Sequence, residues 1–505
     1  MKKMSNVFNI SAGILALLVI IGILLPRTLE AVTANVQAFI SNAFGWYYLI
    51  VVTIFLIICL YLLISPVGRL KLGKQDDQPE FSRPTWIAML FSAGMGIGLV
   101  FYGSAEPISH YAISSPTGIT GTPQAVKDSL RFTFFHWGLH AWAIYGIVAL
   151  ILAYFSFRKD LPVTISATLK PILGDRVNGK LGKTIDILAI LSTVFGVATT
   201  LGFGAAQING GLSYLYNVPS SFWIQLLIII VFTVLFIGSA LSGVGKGIKI
   251  LSNVNMLLAF ILLVLLFSLG PTMFILNIFT DTIGGYFQNL PNMSFRIAPL
   301  NAENRLWINA WTIFYWAWWI AWSPFVGIFI ARISKGRTIK EFVFNVLLIP
   351  SVVGFFWFST FGGTAISLEA RGIANISELA TEESLFGVFA NFPLGTVMSI
   401  LALILIAVFF VTSADSGTYV LAMMSKHGDP NPPNRLKVIW GVLLALIAIA
   451  LLYSGGLLAL QNTMIIAALP FSIIMILMTA SLLKSINEEA KESNKHIVPK
   501  PSKSK

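Results

Sequence analysis

Cysteine is almost absent from this chain, and so is charge. Among 505 residues there is one cysteine, Cys59. A lone thiol excludes an internal disulfide and a cysteine-built zinc cluster, and between Ile58 and Leu60 it reads as an inert packing group. Charged residues make up 11% of the chain, whereas a soluble domain carries roughly 25%. An ordinary soluble protein is thereby excluded. No nucleophile–base pair or carboxylate pair stands out in the apolar runs, which argues against an enzyme. The charge that exists is unbalanced, with a formal net of +12. Its lysines and arginines sit in short loops, the pattern of membrane topology determinants and not of a nucleic-acid surface.

What is present is apolar sequence: 56% of residues are hydrophobic. Runs of about 20 residues, the length a membrane helix needs, recur about twelve times. They fall near 9–26, 46–66, 85–104, 128–156, 184–207, 219–242, 251–276, 306–331, 342–366, 394–424, 438–454 and 459–483. The first run, behind Lys2 and Lys3, also has the format of a signal peptide, but Ala31-Val32-Thr33-Ala34 is a weak cleavage site. Alternate loops are rich in Lys and Arg and the loops between are nearly bare, which places both termini in the cytoplasm. The stretch 277–304, with Gly284, Gly285 and Pro291, is too polar to span and reads as lying partly along the outer surface. The polar tail Glu488–Lys505 reads as disordered or resting on anionic lipid.

The densest chemistry lies in Trp311–Phe325, where five tryptophans precede a proline. On a helix Trp318, Trp319 and Trp322 share one face. Pro324 has no N–H for the carbonyl of Ile320, so a break is expected there. Indole faces attract an ammonium that cannot donate hydrogen bonds, such as a quaternary amine; packing is the alternative reading. The run Ala93–Gly98 places Gly94, Gly96 and Gly98 at spacing two inside a span, as an unwound segment or as a close helix contact. Interrupted spans 3 and 8 at matching places in two halves point to a midplane substrate site in a secondary transporter.

In span 4, Trp137, Trp142 and Tyr145 fall within one arc and can face a common cavity. His136 and His140 are four apart, but no third metal ligand accompanies them. Hydroxyls gather in spans 5 and 10: Thr193, Thr199 and Thr200, then Thr412, Ser413 and Ser416 beside Asp415. With free carbonyls they suit Na⁺, or they bond back to their own helices. Asp415 is a functional suspect because it is ionisable near a span, or a capping group near the cytoplasmic end.

Taken together, the Trp311–Phe325 stretch with the Val326–Arg337 segment after it, Gly94–Gly98, the Phe135–Tyr145 aromatics and Thr412–Ser416 resemble the betaine/carnitine/choline transporter family over about residues 40–480. The likeness is greatest to sodium-coupled glycine betaine importers of Gram-positive bacteria. It implies an all-α membrane protein of twelve transmembrane helices with a LeuT-like inverted five-helix repeat, spans 3–7 and 8–12, assembled as a homotrimer in the bacterial plasma membrane. The implied divisions are 1–83 for two peripheral spans, 84–276 and 306–483 for the repeats, 277–305 for the outer segment and 484–505 for the basic tail.

The resemblance also implies the site. Trp137, Trp142, Tyr145, Trp318, Trp319 and Trp322 would form an aromatic box, with Gly94, Gly96 and Gly98 meeting the substrate carboxylate. One Na⁺ site would use Thr412 and Ser413 with carbonyls of Ser92, Met95 and Phe409. A second would involve Thr193 and Phe325, with Thr200 or water standing in, because Val197 occupies a position that carries a threonine ligand in sodium-coupled relatives. Choline carriers tend to be acidic where this chain has Gly98, which favours a zwitterion here. The expected function is Na⁺-driven import of glycine betaine for osmoprotection, with no organic cofactor. The alternatives are a Na⁺-independent exchanger, a carrier of carnitine, choline, ectoine or proline on the same fold, or a betaine-binding osmosensor that does not transport.

Overall fold

The computed structural model describes residues 5–94, 96–242 and 246–497. These residues are helical with short connections, and the only strand-like pairing among them is an isolated bridge between Lys71 and Thr338. A bilayer leaves no water for unpaired backbone groups, so helices are the economical way through it. In order they are α1 (Asn6–Leu24), α2 (Pro26–Ile64), α3 (Arg83–Gly94), α4 (Ile97–Ile108), α5 (Pro123–Trp137), α6 (Leu139–Ala153), α7 (Lys180–Tyr216), α8 (Phe222–Ser242), α9 (Lys246–Leu269), α10 (Thr272–Ser294), α11 (Ala302–Ile333), α12 (Ile339–Ala370), α13 (Gly395–Met424) and α14 (Asn434–Ile497).

Local chemistry starts several of them. Thr122 Oγ1 accepts the Ala125 N–H at 3.2 Å and Pro123 opens α5; Thr338 Oγ1 accepts the Glu341 N–H at 3.1 Å at the start of α12.

Among the described residues ten helices are long and apolar enough to cross a membrane. Two differences explain why the sequence reading reaches twelve. The run near 85–104 is split at Gly94–Gly96 into α3 and α4, each of 12 residues and too short alone. The last two runs share one continuous assignment, α14, with a backbone break at Gly455 and Gly456. Gly456 sits at φ +63°, a left-handed conformation that a side chain would strain.

Other boundaries differ from expectation. The run near 251–276 ends at Leu269, and a new helix begins at Thr272. The polar stretch after it is therefore largely helical, as α10, packed against α5 and α12. The predicted break at Pro324 does not occur. The α-helix runs through it to Ile333, and Ser323 Oγ donates to the orphaned Ile320 carbonyl at 2.8 Å. A hydroxyl one residue before the proline thus supplies the hydrogen bond that the proline withholds. The irregularity in α11 lies earlier, in a π-helical turn at Asn309–Ile313.

Burial separates an inner from an outer set. The most apolar windows of Pro123–Arg158 and Ala302–Ile333 are each 94% buried, against 22% for Phe222–Leu241 and Ile250–Leu269. Helices α6 and α11 therefore form the centre, and α8 and α9 present apolar surface outward. Between α5 and α6 the helix breaks at Gly138, and the Leu139 N–H finds the Tyr286 hydroxyl of α10 at 3.2 Å. That break turns the following aromatics of α6 toward α11.

Candidate substrate cavity

The glycine run of α3–α4 is unwound. Gly96 is extended at φ −150°, ψ −165°, and α4 starts at Ile97. The first N–H groups of a helix have no partner within it and carry its positive dipole end. Here Gly96, Ile97, Gly98 and Leu99 line a small cavity, so this helix start faces it. Met95 lies outside the described residues, and Ser92 and Gly94 belong to α3, which Gly94 closes.

Opposite the helix start stand Trp137, Tyr145, Trp318, Trp319 and Trp322, with Thr200 of α7 completing the wall. Trp318 and Trp319 stack at 5.7 Å with planes 10° apart. Trp137 and Tyr145 present edges to Trp319, at 5.0 Å and 81° and at 5.4 Å and 90°. The Trp319 N–H is held by the His136 carbonyl at 2.9 Å, whereas Trp322 Nε1 is buried without a partner among the described residues. A water-sized sphere can place its centre in about 20 Å³ of this space, room for roughly one water molecule. Side chains must move outward before anything larger enters.

Gly98 is what allows the walls to approach. A Cβ there would stand 2.4 Å from Trp318 Cη2 and 3.3 Å from Trp137 Cη2. Trp142 is buried but outside the lining; it packs edge-on to Tyr145 at 5.7 Å and so supports a wall residue.

The hydroxyls mostly bond back to their helices. Thr193 Oγ1 donates to Ala189 O at 2.8 Å, Thr199 Oγ1 to Phe195 O at 2.7 Å and Thr200 Oγ1 to Gly196 O at 3.3 Å. Thr412 Oγ1 lies 2.9 Å from Val408 O and 3.2 Å from Phe409 O, and it accepts the Asn255 amide at 3.1 Å. Ser413 beside it is half-buried. Phe325 packs edge-on to Trp322 at 5.4 Å and lines a different cavity from Thr200, together with Arg332 and Tyr419. Val197 fills its position by packing against Gly417. Asp415 Oδ2 accepts the Ser239 hydroxyl at 2.6 Å.

A second constellation directly behind the cavity was missed by the sequence reading. Glu106 of α4 is fully buried. Its Oε1 is 2.6 Å from His136 Nδ1 and 3.3 Å from His110 Nε2; its Oε2 accepts Trp137 Nε1 at 2.8 Å and the Tyr315 hydroxyl at 2.5 Å. His136 Nε2 is in turn 3.0 Å from Thr312 Oγ1. His136 thus has acidic and imidazole neighbours after all, Glu106 and His110, with ligand-type atoms within 4.8 Å of one another. His140 is elsewhere, 3.0 Å from Ser294 Oγ. The available signal was Glu106 itself, a carboxylate just past the end of the apolar run near 85–104.

The betaine/carnitine/choline family transporter profile matches residues 6–491. The glycine betaine transporter OpuD of Bacillus subtilis (strain 168) is 59% identical over 495 residues, 98% of this chain and 97% of that protein. A probable glycine betaine transporter of Desulfitobacterium hafniense (strain Y51) is 44% identical over 97% of this chain and 98% of its own. The ectoine/hydroxyectoine transporter of Virgibacillus pantothenticus is 43% identical over 96% of this chain and 97% of its own. Among solved structures, MhsT in complex with L-phenylalanine aligns at a TM-score of 0.46 and 14% identity, covering 80% of this chain and 96% of that one. A match along nearly the whole chain to a family of transporters makes this all-α membrane protein a transporter and not an enzyme: it belongs to the betaine/carnitine/choline transporter family.

Proposed function

We propose that the protein imports glycine betaine by Na⁺ symport, for osmoprotection. The observation that carries this reading is the juxtaposition of an indole-walled cavity with the start of α4, which lines it. A trimethylammonium has no N–H, so aromatic faces are its best neutral partners, each contact contributing about 0.5–2 kcal/mol. The carboxylate of the same molecule would meet the N–H groups of Ile97 and Gly98, where the helix dipole is positive. Trp322 Nε1, buried and unpartnered, is a further donor on that wall. A zwitterion with its charges one methylene apart suits a site that offers both within one small cavity.

Sodium would bind where Thr412 Oγ1 and Phe409 O already converge at 3.2 Å, with Ser413, Ser92 and Met95 as the expected remaining ligands. Binding there would exchange the hydrogen bonds of Thr412 for ion contacts and tie α13 to the glycine segment. A second ion near Thr193, Thr200 and Phe325 draws less support, because Thr200 and Phe325 face different cavities. Two five-span repeats rocking against each other would expose the site alternately. The repeats would comprise 84–276 and 306–483, flanked by 1–83, 277–305 and the tail 484–505. The wider assembly is a trimer in the cell membrane, with both termini cytoplasmic and the basic tail on anionic lipid.

The test is labelled glycine betaine uptake into proteoliposomes with an inward Na⁺ gradient, against K⁺ on both sides. Accumulation with Na⁺ alone supports symport; equal counterflow without Na⁺ makes the protein an exchanger and removes the sodium assignments. Transport of ectoine in place of betaine is the second reading, favoured by the 43% identical ectoine/hydroxyectoine transporter. Competition by unlabelled ectoine in the same assay decides it. Binding without accumulation would leave a sensor.

A further inference from the structure

The proposed function accounts for the aromatic cavity but leaves the buried carboxylate behind it unexplained. Glu106 is fully enclosed, and a charge in a membrane interior persists only when it is paired or saturated with donors. Four donors converge on it, two imidazoles, an indole and a phenol. His110 Nδ1 has no partner among the described residues, which fits a neutral ring donating through Nε2, because a second N–H there would be stranded. His136 Nδ1 faces Glu106 and its Nε2 faces the Thr312 hydroxyl, so a neutral ring donating through Nδ1 leaves neither nitrogen stranded. The cluster then carries one uncompensated negative charge.

Two of those four donors belong to the cage. Trp137 is a wall of the cavity, and Tyr315 stacks on Trp318 at 6.1 Å and 24° and on Trp319 at 6.3 Å and 20°. The third, His136, holds Trp319 through its backbone carbonyl. Three of the four groups that Glu106 grips therefore form the cage or touch it, whereas His110 packs on Trp307 and Trp311 at 5.0 and 4.5 Å. A carboxylate drawing on an indole N–H and a phenol O–H also pushes electron density into those rings, deepening the negative potential of their faces.

We propose that Glu106 is a positioning residue that orients the cage and lends it negative charge, the substrate's quaternary ammonium being its counter-ion. The inference rests on the proposed binding of such a cation. Its distinctive consequence concerns charge and not shape: removing the negative charge should weaken a ligand that carries a quaternary ammonium and not an isostere whose bulky end is uncharged.

The experiment compares wild type with Glu106→Gln and Glu106→Asp in proteoliposomes, following betaine uptake and its inhibition by 3,3-dimethylbutyrate, in which a tert-butyl group replaces the trimethylammonium. In Glu106→Gln the KM for betaine should rise about tenfold, with turnover at saturation within about twofold of wild type. The inhibition constant of dimethylbutyrate, an anion with no ammonium, should not rise, and Glu106→Asp should recover part of the loss. Equal weakening of both ligands, a fall in turnover alone, or an unchanged KM would each overturn the proposal. So would one zinc per protomer retained by wild type and lost in Glu106→Gln, because an ion held by Glu106, His110 and His136 would neutralise the charge. A Trp318→Leu control keeps the two readings apart: if it transports betaine with wild-type KM, the cage itself has failed, whatever Glu106 does.

Discussion

Replacing Gly98 by alanine tests the cavity with a single methyl group. The backbone at Gly98 lies within α4, where alanine is the better helix former, so no conformational strain accompanies the change. The added Cβ would lie 2.4 Å from Trp318 Cη2 and 3.0 Å from Cζ2. Carbon atoms in comfortable contact stand about 3.5–4.0 Å apart, so the indole must retreat by more than an ångström. Overpacking of this kind costs about 1–3 kcal/mol when the neighbours cannot move. If Trp318 swings away instead, one cation–π contact of about 0.5–2 kcal/mol goes with it. The KM for betaine then rises by a factor of about 2 to 30, while the protein still assembles and reconstitutes. Initial-rate uptake over a range of betaine concentrations measures this. A Gly98→Ala variant with wild-type KM would mean that Trp318 does not bound the substrate, and the cage geometry would be wrong.

Three further outcomes are expected. Trp142→Phe should leave betaine KM within about threefold of wild type, since Trp142 only braces Tyr145, whereas Trp322→Leu should raise it about tenfold; the reverse order in uptake assays would refute the wall assignment. Ser323→Ala strands the Ile320 carbonyl and should destabilise the purified protein by about 1–3 kcal/mol. Adding Pro324→Ala restores an N–H there and should recover the loss in thermal unfolding; no recovery would refute the pairing. Glu382, in the connection between α12 and α13, has its carboxyl pushed above the usual 4.5 by burial, opposed by its own backbone N–H and reinforced by Glu383. A raised folded-state value means that ionisation costs stability above it, and the cost vanishes below the unfolded value of 4.5. Glu382→Gln should therefore melt higher than wild type at neutral pH, with the gap closing on acidification. A gap that widens in acid would reverse the sign.

Much of the fold is legible along the chain because membrane spanning is a local property. A run such as 394–424 is apolar for long enough to cross wherever it packs, and α13 occupies nearly that range. The boundary near 276 was misplaced because hydropathy continues past Gly270-Pro271, where the backbone turns, and only geometry registers the turn. At Pro324 the local rule was sound, since the Ile320 carbonyl is indeed orphaned. Its consequence was not, because the neighbouring Ser323 hydroxyl could take the bond and keep the helix intact.

The residue types of the site, indoles on one face of span 8, aromatics in span 4 and glycines in span 3, were determined by sequence alone, since helical periodicity dictates which of them share a face. Only the tertiary structure decided which of those faces meet. Trp142 and Trp137 are five residues apart in similar surroundings, yet the break at Gly138 separates them, so that one lines the cavity and the other braces it. Glu106 and His136 are 30 positions apart, a separation with no periodicity to reveal it. The packing of α4 against α5 and α11 creates that pairing, because a buried carboxylate is stable only where several helices bring donors to it at once.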